Sequence, residues 1–223
     1  MKHSLQKSGF EIKKQFLHIK QVQELIDLLD GKIETVSAHG VRNIFSKIHE
    51  LASIIQEQVL LPLLGESFVP IKTVYFDKVP EKNWNVAWHQ DTAINVVGDI
   101  PTDGFKNCLI KRGYSSVEPP EKIMQNISTV RIHLDDASVE NGCLRVIPGT
   151  HKYGRVQSER LLKTVAENEI YDCEMNCGDV MIMKPLLFHS SRKSINPSHR
   201  RVIHVECSPD ELPNGLDWYE ACN

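Results

Sequence analysis

Apolar residues recur every three or four positions through the first third of the chain. Ile19, Val22, Leu25, Ile26 and Leu29 form one stripe, and Ile44, Ile48, Leu51, Ile55 and Val59 form a second within the run from Val41 to Leu61. That period marks amphipathic helices, and Pro62 and Gly65 mark where the helical pattern should stop. Helices of this kind cover a sheet, because burying the apolar face is what stabilises them. Residues 1–65 are therefore expected as a flank of N-terminal helices.

Beyond Gly65 the texture changes. FVPIKTVYF, NVAWHQDTAINVV, STVRIHLDD, CLRVIP, DVMIMKP and RRVIHVEC are short runs rich in Val, Ile and aromatics. Turn signals at Glu140-Asn141-Gly142, Pro148-Gly149 and Cys177-Gly178-Asp179 separate them. The pattern predicts an α+β, mainly β chain with an antiparallel core over 66–210, of jelly-roll or related barrel type, whose inward face can hold a site. Asn141-Gly142, where both residues tolerate positive φ, predicts a tight hairpin between VRIHLDD and CLRVIP. Residues 98–126, dense in Gly, Pro and Ser, are expected as a loop insertion that serves as a lid or binding loop. SERLLKTVAENE, further on, is expected as a short helix without chemistry.

Composition narrows the possibilities. A chain of 223 residues, 41% hydrophobic and with a formal charge of -3, suits a single globular domain over 1–223. No basic run beyond pairs such as Lys13-Lys14 and Arg200-Arg201 suggests a nucleic-acid partner. The N-terminus lacks a signal-peptide core and no run reaches the length of a membrane span, so no membrane partner and a cytoplasmic location are expected. Cys108, Cys143, Cys173, Cys177, Cys207 and Cys222 follow no zinc-like pairing and read as reduced structural thiols.

The chemistry concentrates in NWNVAWHQDTAI. On a strand, residues two apart project to the same side, so His89 and Asp91 can offer two ligands to one metal. A facial iron(II) centre takes two imidazoles and one carboxylate and leaves three positions open. His189, at the end of the apolar run MIMKPLLFHSS, is the best third ligand. Arg200 follows eleven residues later, and its planar fork suits the far carboxylate of a 2-oxoacid. Alternation in RRVIHVEC places Arg200, Val202, His204 and Glu206 on one face and Arg201, Ile203, Val205 and Cys207 on the other, and does not choose between the two arginines.

FDKVPEKNWNVAWHQD, VRIHLDDASVENGCLRVIPGTHKYG and GDVMIMKPLLFHSSRKSINPSHRRVIHVE, taken together and in this order, resemble the phytanoyl-CoA dioxygenase-like family of iron(II)- and 2-oxoglutarate-dependent oxygenases. The resemblance spans most of the chain from Tyr75 to Glu206. It implies a double-stranded β-helix, cupin-like, with His89, Asp91 and His189 as catalytic iron ligands and Arg200, favoured over Arg201 by the family's spacing, as the 2-oxoglutarate anchor. Ser191 matches a small polar position beside the cosubstrate, and Lys78 and Asn83 lie where cosubstrate contacts or loop ordering are expected. Arg131 and His133 share a face and either lines the pocket or forms a buried polar pair. The implied cofactors are Fe(II), 2-oxoglutarate and O2, and the implied reaction is hydroxylation of a small-molecule C–H with release of succinate and CO2. Asp91 itself favours hydroxylation, since relatives that halogenate carry a small residue there. Two rival readings use the same fold: a cupin-like metalloenzyme that needs no oxoacid, and a catalytically silent binding protein.

Overall fold

The computed structural model of the chain describes residues 3–33, 40–79, 83–99, 103–195 and 198–221. After the short turn α1 (Leu5–Ser8), the first stripe folds as α2 (Ile19–Asp30), entered where the Gln21 side chain accepts from the His18 backbone N–H at 2.9 Å. Val22, Leu25, Ile26 and Leu29 are buried, while Ile19 stays 70% exposed on the first turn. The second stripe folds as α3 (Ile44–Lys47), α4 (His49–Ile55), a π-helical turn over Gln56–Leu60 and α5 (Leu61–Leu64). Pro62 does not stop the helix: the chain widens into the π turn just before it and ends only at Gly65, whose φ of 88° suits glycine. Two more helices, α6 (Glu121–Asn126) and α7 (Ser158–Glu167), lie among the later strands.

The first strands are β1 (Phe10–Lys13), β2 (Val41–Arg42), β3 (Val69–Lys78) and the histidine strand β4 (Val86–His89). Next come β5 (Ile94–Val97), β6 (Lys106–Lys111), β7 (Tyr114–Glu118), β8 (Ser128–His133) and β9 (Leu144–Val146). The last are β10 (Tyr171–Cys173), β11 (Val180–Met183), β12 (His189–Ser191), β13 (Arg200–Ser208) and β14 (Asp217–Trp218). They form an antiparallel major sheet in the order β1-β11-β8-β13-β3-β2 and a minor sheet in the order β10-β9-β12-β4. A third sheet runs β14-β5-β7-β6. This is the jelly-roll, double-stranded β-helix architecture, mostly β, with helices outside it.

Alternation along the major sheet decides what each face does. Tyr75, Val130, Ile132, Val180, Ile203 and Val205 face outward and join the apolar stripes of α2 to α4 in one buried cluster. The opposite face looks toward the minor sheet. At one end of that space Phe10, Val146, Met181, Met183 and Leu187 form a second apolar cluster. At the other end the inward positions are polar, and the candidate site lies there.

Three local expectations change. The segment 98–126, expected as a loop, carries the β6–β7 hairpin and α6, and β7 pairs with β5. β6 is exposed along its whole length, so it has no apolar alternation to reveal it in the sequence. Asn141-Gly142 is not the tip of a hairpin, because β8 and β9 belong to different sheets. Instead the Asn141 side chain accepts from Ser138 N at 2.7 Å and donates to Asp136 O at 2.7 Å. Gly142, with φ of 73°, passes so near Arg192 that a Cβ would stand 2.3 Å from its carbonyl oxygen. Finally, the N-terminal flank is not purely helical, since β1 and β2 form the two edges of the major sheet. No helix among the described residues is long and apolar enough to cross a membrane.

Candidate metal centre

β4 and β12 are antiparallel neighbours, and their register sets His89 directly opposite His189. Asp91 follows two residues after His89, with its backbone N–H held by Pro185 O at 3.0 Å. The three side chains converge: His89 Nε2 is 3.7 Å from Asp91 Oδ1, His189 Nε2 is 3.5 Å from Asp91 Oδ2, and the imidazole centroids are 4.1 Å apart. Each histidine sets its Nδ1 2.8 Å from a backbone carbonyl, that of Ala87 or Leu187. A carbonyl only accepts, so Nδ1 carries the proton in both rings and each Nε2 lone pair is left facing Asp91.

The charge states match the geometry. Burial lowers His189 to about 4, helped by His89 and opposed by Asp91, so its ring is neutral at pH 7 as a metal ligand must be. Burial would raise Asp91, but His189, which takes up a proton only in the acid range where this carboxyl titrates, and the Lys72 cation outweigh it and hold the carboxyl below the usual range. Two imidazoles and one carboxylate are the donor types of a facial non-haem iron site. One ligand atom from each of the three side chains lies within 4.8 Å of the other two, and since ligand atoms about 2.1 Å from a common ion stand about 3.0 Å apart at right angles, binding an ion would draw the three together.

A cavity of about 420 Å³ opens beside the triad. Its far wall is the inward face of β3, β13 and β8, laid out in rows by the register. Lys78 pairs with Arg200, Val74 with His204 and Lys72 with Glu206, while Arg131 flanks His204 from β8. The Lys78–Arg200 and Lys72–Glu206 rows are six residues, or about 20 Å, apart. Asp91 offers its carboxylate within 4.8 Å of ligand atoms of His204 and Glu206, so the triad sits over that half of the wall.

At the other end Arg200 is 3% exposed, and its Nε and Nη1 have no hydrogen-bond partner among the described residues. Burial and the neighbouring Arg131 lower it to about 10. Lys78, also buried, donates to Ser191 Oγ at 3.0 Å and to Arg192 O at 2.9 Å, with its ammonium 5.1 Å from the Trp84 ring centroid. Burial, then Arg200 and Arg131, lower it to about 7. Neither cation has an ion pair among the described residues. Buried donors left unmatched beside a cavity are a site for a carboxylate.

Arg201 takes the opposite side. Its backbone N–H, Nε and Nη2 all donate to Asp135, at 2.8, 2.9 and 2.8 Å, outside the barrel. Asn83 does not line the cavity: its side chain clips the backbone N–H and carbonyl of Ser194, ordering the stretch that follows Ser191. Arg131 lines the cavity, whereas His133 lies beside it, buried and neutral, with neither ring nitrogen partnered. Trp88 and Gln90 point away from the triad: Trp88 packs by Ile147, Leu161 and Phe188, and Gln90 donates to Gly154 O and Leu186 O. None of the described residues of 98–126 lines the cavity.

Sequence reasoning passed over Lys72, Trp84, Arg42 and the roles of His204 and Glu206. Lys72 Nζ is 2.5 Å from Glu206 Oε1, and Glu206 stands 3.4 Å from His204 Nε2. Arg131 Nη1 donates to His204 Nδ1 at 2.9 Å, which fixes that ring with its proton on Nε2, toward Glu206. The signal was the shared face of Arg200, His204 and Glu206 in RRVIHVEC.

The family model described as phytanoyl-CoA dioxygenase (PhyH) matches residues 36–202. A curated relative, the phytanoyl-CoA dioxygenase domain-containing protein 1 homolog of Caenorhabditis elegans, is 28% identical over 128 residues, covering 49% of this chain and 41% of that protein. The chain matches between 33% and 41% of the length of the curated relatives found. Among solved structures, the non-heme alpha ketoglutarate dependent carbocyclase SnoK from nogalamycin biosynthesis superposes with a TM-score of 0.67 at 16% identity, over 92% of this chain and 81% of that one. HygX from Streptomyces hygroscopicus, solved with nickel and 2-oxoglutarate bound, gives 0.67 at 14% identity over 93% and 85%. At these identities the structural likeness is one of fold.

Proposed function

The chain belongs to the phytanoyl-CoA dioxygenase family, and from that membership we propose that it is an iron(II)- and 2-oxoglutarate-dependent oxygenase that hydroxylates a C–H bond of a small molecule. The observation that carries the reading is the pairing of two sites in one cavity. A His-Asp-His donor set lies at one end, and a buried guanidinium that has no counter-ion among the described residues lies at the other.

In this reading His89, Asp91 and His189 hold the iron. Arg200 takes the far carboxylate of 2-oxoglutarate, with Lys78 adding a second cation that Ser191 orients. Asn83 acts at one remove by fixing the Ser194 backbone. Iron held there supplies the oxygen chemistry, coupling oxidative decarboxylation of 2-oxoglutarate to succinate and CO2 with oxygenation of the substrate. The chain's part is to bind and orient. Ala87 O and Leu187 O lock the imidazole tautomers, the Lys72 cation helps keep Asp91 ionised, and the buried wall around Arg200 strengthens its hold on a carboxylate by excluding water.

The test is an anaerobic titration of apoprotein with iron(II) and then 2-oxoglutarate, following the visible charge-transfer band of the chelate. A band in the wild type that needs far more 2-oxoglutarate in Arg200→Ala is expected. Iron binding without a band would favour the cupin-like metalloenzyme, and no iron binding would leave a binding protein of this fold.

A further inference from the structure

The cavity holds more positive charge than metal and cosubstrate account for. Among the described residues Arg42, Lys72, Lys78, Arg131 and Arg200 line it, against the single carboxylate of Asp91. A divalent ion and the 2-oxoglutarate dianion cancel each other when both are bound. Glu206 offsets Lys72, and Asp91 offsets one arginine. Among the described residues, two of the three arginines stay uncompensated even if Lys78 is neutral.

Their positions show where the excess lies. Arg42 on β2 pairs with Val74, Val74 with His204, and His204 with Arg131, so the two arginines end one row across four strands and share its inward face. That row is four residues along β13 from Arg200, on the triad's half of the wall. Arg131 is buried, held by His204, and its Nε has no partner among the described residues. Arg42 is exposed, which puts it at the mouth of the cavity.

We infer that the substrate carries an anionic group, a carboxylate or a phosphate, which docks against Arg42 at the cavity mouth while the C–H to be oxidised lies over the triad. The inference rests on the functional reading above and adds the chemical class of the substrate. A net positive cavity with low-dielectric walls concentrates anions and rejects cations. The far-carboxylate end is already taken by the cosubstrate, so the substrate's anion must use the other row. Arg42 is suited to it because its head reaches solvent and can meet the group on entry.

The experiment uses nickel(II)-loaded protein, which binds without turning over. Calorimetry first measures 2-oxoglutarate binding. The cosubstrate-saturated protein is then titrated with sodium sulfate, standing in for a phosphate, and separately with sodium acetate, at constant ionic strength. Saturable binding of either anion is expected, the tighter one naming the headgroup. Arg42→Gln, at an exposed position that leaves the fold intact, should weaken it about tenfold or more while the 2-oxoglutarate Kd stays unchanged. Absence of saturable binding by both anions, equal binding in Arg42→Gln, or competition between the anion and 2-oxoglutarate would overturn the inference and leave the functional reading standing. Failure of 2-oxoglutarate itself to bind would remove that reading, and the inference with it.

Discussion

Arg200 and Arg201 are neighbours in sequence and opposites in circumstance, so replacing each with alanine should separate binding from stability. Arg200 is buried with unmatched donors facing the cavity. A two-pronged, charge-assisted contact to a carboxylate there is worth about 2 kcal/mol, which converts to roughly a 30-fold loss of 2-oxoglutarate affinity in Arg200→Ala. At a cosubstrate concentration about 100 times the wild-type Kd, binding stabilises the wild type by about 2.7 kcal/mol and the variant by about 0.9 kcal/mol. Without cosubstrate, Arg200→Ala should cost little, because it removes a buried cation that has no counter-ion among the described residues. Arg201→Ala should do the reverse: losing the forked contact to Asp135 lowers stability by about 1–2 kcal/mol and leaves the cosubstrate increment at about 2.7 kcal/mol. The assay is urea denaturation of the anaerobic iron(II) protein with and without 2-oxoglutarate. An undiminished increment in Arg200→Ala, or a lost one in Arg201→Ala, would refute the assignment.

Other substitutions test the neighbouring parts. His89→Ala and Asp91→Ala should each abolish iron-dependent succinate release and weaken iron(II) binding in equilibrium dialysis; normal turnover by either would remove that residue from the ligand set. Gly142→Ala should cost about 2 kcal/mol or more in thermal unfolding, since it strains a φ of 73° and drives a Cβ into Arg192 O. Because that same carbonyl accepts from Lys78, cosubstrate affinity should fall as well. Lys78, lowered to about 7 mainly by burial, binds fewer protons folded than unfolded between about pH 7 and its unfolded value, so apoprotein stability from this group should rise with pH across that window. Lys78→Met should flatten the rise; an unchanged profile would mean the ammonium is not buried as described.

Much of this arrangement was legible in the sequence, and what was hidden was hidden for physical reasons. The apolar stripes predicted helices on a sheet because Val22, Leu25, Leu51 and Ile55 have one face to bury. The convergence of His89, Asp91 and His189 was readable from a two-residue period and from the family's order of motifs. Between Arg200 and Arg201 the family's spacing favoured Arg200, but alternation could not choose, because it only sorts the residues of a strand buried along most of its length into two sets. Which set faces the cavity depends on where the helices pack, a tertiary fact. β6 was invisible because an exposed edge strand needs no apolar residues, and Asn141-Gly142 misled because positive φ is needed by sheet-to-sheet crossings as much as by hairpins.

The division of labour across the major sheet explains why such a site is affordable. The inward residues Lys72, Arg131, His204 and Glu206 contribute little to stability, since each polar group drawn from water sacrifices hydration that its partner only partly restores. The outward residues of the same strands, Tyr75, Val130, Ile132, Ile203 and Val205, bury apolar surface against α2 and α4 and compensate for it. Fold and chemistry are thus carried by alternate residues of one strand. A truncation at Ile203 should act on activity only through the fraction of folded protein, whereas a change at His204, one residue on, should release Arg131 and alter the cavity while the fold persists.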